Sequence, residues 1–209
     1  MGTASSVESI TIEDLKSYYA ENLAPSLADI GIAGDVSSLR ALKNFRALEK
    51  EWAAREKRMP AFSGGAALQT PKIYFVDVPG ARQSEVRVGN LSMAYGDPDY
   101  FRATVMNYKL GGSFNGILNL ILREEKGFTY GARSGFSGTL YPGTFNASTA
   151  VQSNATLETL QIIRDEITKY RQGISAEDLQ FTREALVKSN ALRFETLAAL
   201  LSMLRNIAL

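Results

Sequence analysis

Two alternating segments, Phe128 to Leu140 and Thr144 to Gln152, are separated only by Tyr141-Pro142-Gly143, and this spacing constrains the fold more than any other feature of the chain. Alternation of period two reads as strand, and so short a turn predicts an antiparallel hairpin. A further strand is expected over Ser84 to Tyr95, through Val86, Val88, Leu91 and Met93, with Gly89 a candidate bulge. Lys72 to Val78 (KIYFVDV) reads as a buried strand turned by Pro79-Gly80. Helical spacing marks a segment from about Asp99 with Phe101, Val105, Tyr108 and Lys109, ended by Gly111-Gly112. Phe114, Ile117, Leu118, Ile121 and Leu122 predict a second amphipathic helix that Gly127 terminates. Two more helices, Ala155 to Arg171 and Ala176 to the end, complete the pattern. Strands followed by helices, with a hairpin inside the sheet, predict an α+β fold: a mostly antiparallel sheet covered by helices, not a doubly wound parallel one.

The first part of the chain is organised separately. Thr11 and Asp14 have the spacing of a capping box, opening a helix with Leu15, Tyr18 and Tyr19 on one face. Asp29 to Val36 (DIGIAGDV) reads as a short strand. Ser37 or Ser38 caps a helix carrying Leu39, Leu42, Phe45, Leu48 and Trp52 and extending to about Lys57. The prolines and glycines of 59–71 form the most linker-like stretch, so the expected division is 1–58, a linker, and 72–209.

Composition excludes much familiar chemistry. The 209 residues include neither cysteine nor histidine. Disulfides, thiolate nucleophiles and Ser-His-Asp triads are therefore impossible, and a zinc site would lack its normal ligands. A net charge of +1 and the lack of a basic-aromatic cluster argue against nucleic acid as a partner. No apolar run is long enough to span a membrane. Gly2 and Ser6 formally fit the loose N-myristoylation pattern, but a start inside a longer chain would look the same. The ending, Leu204 to Leu209, carries no helix stop, so a piece of a longer chain is expected.

The candidate chemistry lies in Leu110 to Arg133. Arg123 falls at the end of the amphipathic helix, off its apolar stripe, and Tyr130 follows seven residues later on the next strand. A guanidinium fork and a phenol can both donate to a carbonyl oxygen or a developing oxyanion. Taken alone, Arg123 could equally serve the helix dipole or pair with Glu124 or Glu125, and Tyr130 could pack in the sheet.

Leu110-Gly111-Gly112 followed by Leu122-Arg123-Glu124-Glu125-Lys126-Gly127-Phe128-Thr129-Tyr130-Gly131 resembles the signature of the non-catalytic domains of pitrilysin-type (M16) zinc peptidases. Leu15 to Tyr19 and Asp29 to Val36 are similar to further elements of that family, so nearly the whole chain is covered. The resemblance implies two related α+β lobes: the tail of a first lobe in 1–58 and most of a second in 72–209. It also implies that Arg123 and Tyr130 contact a peptide substrate, and that zinc and the His-x-x-Glu-His motif lie in a partner half. This chain would then hold no metal or cofactor and be inactive alone. Its partners would be the zinc-bearing half and a peptide or unfolded protein, with dimers possible. The family's Ser-x-Arg-Leu is replaced here by Asn115-Gly116-Ile117-Leu118, which puts one secondary contact in doubt. Some relatives of this fold serve as assembly scaffolds, so a non-catalytic peptide-binding or structural subunit is the alternative. Nothing fixes the compartment; a soluble protein of the bacterial periplasm or cytoplasm fits better than a secreted disulfide-rich one.

Overall fold

The computed structural model describes residues 2–52, 54–58, 61, 69–192 and 194–208. The expected linker 59–71 lies mostly outside the described residues. The chain forms two compact units, one of 1–61 with 192–209 and the other of 62–191.

In the first unit, α1 (Ala4–Glu8) is capped by Thr3, and α2 (Ile12–Asn22) opens with the expected capping box. Thr11 N–H donates to Asp14 Oδ2 at 2.8 Å, and Asp14 N–H returns to Thr11 Oγ1 at 3.2 Å. Two of the donors left over at every helix start are thereby satisfied. Ser37 caps α3 (Ser38–Glu51), which stops before the expected Lys57. Asp29 to Val36 is irregular rather than a strand. A strand exists only as part of a ladder, and in this unit no strand forms among the described residues to supply one. The expected closing helix is two helices: α7 (Ala176–Leu192), which belongs to the second unit up to residue 191, and α8 (Leu197–Ala208), which belongs to the first. Thr196 explains the restart, because its Oγ1 accepts Ala199 N–H at 3.1 Å as a new N-cap.

Among the described residues, the second unit is built on a three-stranded antiparallel sheet in the order β1-β3-β2. Here β1 is Gln83–Leu91, β2 Thr129–Phe136 and β3 Thr144–Gln152, so the predicted hairpin forms, although β2 ends at Phe136 rather than Leu140 and the connection is residues 137–143. β1 pairs with β3 without interruption from Gln83↔Gln152 to Leu91↔Thr144, and Gly89 is therefore not a bulge. The register shift lies instead in β2, between Thr129 and Ala132. Lys72 to Val78 is not a buried strand either. Among the described residues it has no ladder partner, and Ile73, Tyr74, Phe75 and Val76 are each more than four-fifths exposed.

Helices cover one face of the sheet. α4 (Tyr100–Asn107) runs on through a π-helical turn, Tyr108–Gly112, and α5 (Ile117–Asn119) through another, Leu120–Glu125. α6 (Thr156–Tyr170) packs on β1 and β3. Val86, Ala132, Ala147 and Val151 from the sheet meet Leu110, Leu118, Leu122 and Ile163 from the helices in one buried cluster. Complete burial of each such leucine or isoleucine contributes about 1.5–3 kcal/mol. The helix bearing Arg123 is held on β2 by this core.

Gly111 makes the close seam possible. A Cβ built on it would lie 2.5 Å from Ser134 Oγ and 2.7 Å from Ser134 N, so only glycine lets the helix backbone approach β2 so nearly. Next to this seam Asn107, itself buried, donates its Nδ2 to Ser134 O at 2.8 Å and accepts Ser134 Oγ–H at 2.6 Å.

Candidate functional site

Leu122 and Arg123 are neighbours in the second π-helical turn, yet Leu122 is wholly buried while Arg123 is only partly covered. π-turns of this kind recur at functional sites. Gly127, at φ +64°, closes the helix in the left-handed region. Its N–H donates to Arg123 O at 3.1 Å, and Phe128 N–H donates to Leu122 O at 2.9 Å. The backbone beneath Arg123 is thus fixed from both sides.

The Arg123 guanidinium sits over the ring of Phe114, 4.6 Å from its centroid. Phe114 lies ahead of α5, not in the helix that the sequence pattern assigned to it. The expected pairing of Arg123 with a neighbouring carboxylate is limited to a 3.5 Å contact between Nε and Glu124 Oε1. An ion pair this exposed contributes little.

Tyr130 occupies the bulge of β2. Three steps from Thr129 to Ala132 face two steps from Val151 to Thr149, so β2 carries one extra residue there. Gly131 N–H donates to Thr129 Oγ1 at 3.1 Å, and Thr149 Oγ1 lies 2.9 Å from Thr129 Oγ1 and 3.0 Å from Gly131 O. These threonines clamp the bulge. Tyr130 is 92% exposed, and the alternative in which it packs in the sheet is excluded. A bulge commonly re-aims one side chain at a sheet edge, and among the described residues β2 is an edge strand.

Arg123 and Tyr130 therefore stand on two rigid elements joined by the turn through Lys126 and Gly127. Among the described residues no hydrogen bond or ring contact joins the two. A third residue, not anticipated as part of the site, belongs to it. Asn119 is buried, donates to Phe114 O at 2.7 Å and accepts from Ala132 N–H at 3.0 Å. The one hint in the sequence is a polar residue set between Leu118 and Leu122 on an otherwise apolar helix.

Arg123, Tyr130 and the turn between them fall inside a match to the family model described as the peptidase M16 inactive domain, which spans residues 9–186. The chain belongs to this M16 family. It is 24% identical over 207 residues to the uncharacterized zinc protease SCO5738 of Streptomyces coelicolor, covering 97% of this chain and 45% of that relative. It is also 24% identical over 206 residues to the uncharacterized zinc protease YmxG of Bacillus subtilis, covering 94% of this chain and 47% of the relative. A crystal structure of a peptidase M16 inactive domain from Pseudomonas fluorescens superposes with a TM-score of 0.83 at 25% identity, over 97% of this chain and 48% of that one. The chain thus spans about half the length of these relatives.

The M16 chain does not itself suit zinc. It has no histidine or cysteine, and among the described residues no three acidic groups come together as metal ligands. Among those residues, too, no helix is long and apolar enough to cross a membrane.

Proposed function

We propose that this chain is the substrate-binding, non-zinc half of an M16 peptidase acting on peptides, in a site completed by a separate zinc-bearing half. The observation that carries the reading is the exposure of Tyr130, with the partly covered Arg123 on the other side of one glycine-capped turn. A structural role would have drawn the tyrosine into the sheet, yet its phenol is left free for a ligand. Zinc in the other half would supply a Lewis acid and an activated water. The part of this chain is to bind and orient. The Arg123 fork and the Tyr130 phenol donate hydrogen bonds to peptide carbonyls near the scissile bond and to the oxygen that gains charge there.

The test is hydrolysis of an internally quenched peptide by the chain alone and with the zinc-bearing half, comparing the native protein with Arg123→Ala and Tyr130→Phe. The chain alone should be inert and the mixture active. Removing one oxyanion donor typically lowers turnover about a hundred- to a thousandfold, and at least a tenfold loss is expected from each substitution. Equal cleavage by native and substituted mixtures would leave the pair without a catalytic part and favour a scaffold.

A further inference from the structure

Asn119 is 3% exposed, on the helical segment that leads to Arg123. A buried amide is costly unless both of its ends are satisfied. Both are, and by groups that fix its orientation: Phe114 O can only accept, and Ala132 N–H can only donate. The first bond holds the segment whose ring lies against the Arg123 guanidinium. The second holds the residue that closes the bulge bearing Tyr130. One side chain therefore ties the support of the arginine to the support of the tyrosine.

We propose that Asn119 is a positioning residue that sets the spacing of Arg123 and Tyr130, acting through Phe114 and Ala132 without touching substrate. The inference rests on the Arg–Tyr reading above. Without this amide the Phe114 segment and the bulge are still built, but each settles independently. Substrate then binds nearly as before, while the two donors miss the oxygen they serve. A displacement of about 1 Å can cost up to roughly a hundredfold in rate.

The experiment is a double-mutant cycle in the assembled peptidase, with Asn119→Ala, Arg123→Ala and the pair, reading kcat and KM on one quenched peptide, together with a thermal melt of each protein. Asn119→Ala should lower kcat about tenfold with KM nearly unchanged. In the Arg123→Ala background it should cost clearly less, because only the tyrosine is then left to be misplaced. Asn119→Ser, neutral and with a hydroxyl that can accept from Ala132 N–H, guards against a folding failure. It should give a smaller loss that likewise shrinks in that background. A loss by the same factor in both backgrounds overturns the inference and makes Asn119 a stability residue, and so does an unchanged kcat. If Arg123→Ala alone is fully active, the Arg–Tyr reading itself has failed, and the role of Asn119 falls with it.

Discussion

The Arg123 guanidinium carbon lies 4.6 Å from the centroid of the Phe114 ring, although Phe114 is itself 66% exposed. An aromatic ring left in solvent contributes little to the core, so its place beneath a cation is better explained by what it does for Arg123. A cation over an exposed ring gains about 0.5–1 kcal/mol. Phe114→Leu should therefore lower kcat/KM of the assembled enzyme roughly two- to fivefold, with the melting temperature almost unchanged. Phe114→Tyr, which keeps a ring, should restore activity. If the leucine and tyrosine variants are equally impaired, the ring is not what holds the guanidinium.

Gly111→Ala should act on stability. Its Cβ would sit 2.7 Å from the backbone nitrogen of Ser134 as well as 2.5 Å from the hydroxyl, and rotating a side chain cannot relieve the first contact. The helix would have to lift from β2, opening the seam around Leu110. Overpacking of this kind typically costs about 1–3 kcal/mol, read as a lower urea midpoint. Adding Ser134→Gly should recover little of it, because the clash with backbone persists.

What could be read from the sequence divides by range. The Thr11–Asp14 capping box, the hairpin across Tyr141-Pro142-Gly143 and the stop at Gly127 are local devices, and each forms as the residues indicate. Arg123 and Tyr130 stood out through spacing and motif. Asn119 and Phe114 did not, because their roles depend on which segments meet across the turn, a fact no window of sequence contains. Glycine was ambiguous in the same way. At Gly89 a Cβ would meet Phe145 O at 2.5 Å, so the glycine serves close packing within a regular ladder. The bulge lies beside Gly131 instead. Composition marks a glycine in a strand but not which of the two causes put it there. The strand expected over Lys72 to Val78 failed for a related reason, since its hydrophobicity is real but a strand also needs a neighbour.

That segment leaves a second consequence. Ile73-Tyr74-Phe75-Val76 is an exposed, uncharged run of β-branched and aromatic residues without proline, the composition of an aggregation-prone segment. Phe75→Lys removes no buried contact, the residue being 82% exposed. It should raise the concentration at which the isolated chain stays monodisperse in light scattering, while changing the unfolding midpoint by less than about 0.5 kcal/mol. A marked loss of stability instead would show that Phe75 is packed in the isolated chain.

Tyr170 offers a test by pH. Its hydroxyl donates to Met106 O at 2.7 Å, joining α6 to α4. Burial, and then the negative charge of Asp178, push the phenol up to about 12. In the unfolded chain a tyrosine ionises near pH ~10, so the folded state holds this proton more tightly. The stabilisation is fully present below about pH 10 and is lost as pH rises through that value toward 12. Tyr170→Phe removes the hydrogen bond, a cost of about 0.5–1.5 kcal/mol at neutral pH, and it removes the titration as well. Lys109, 3.6 Å from Asp178, and every other charged group are common to both proteins. The gap between their urea midpoints therefore isolates Tyr170. It should be constant up to about pH 9 and narrow steadily above about pH 10. A gap that stays constant through this window would mean that the phenol ionises alike in the folded and unfolded chain, and that neither burial nor Asp178 governs it.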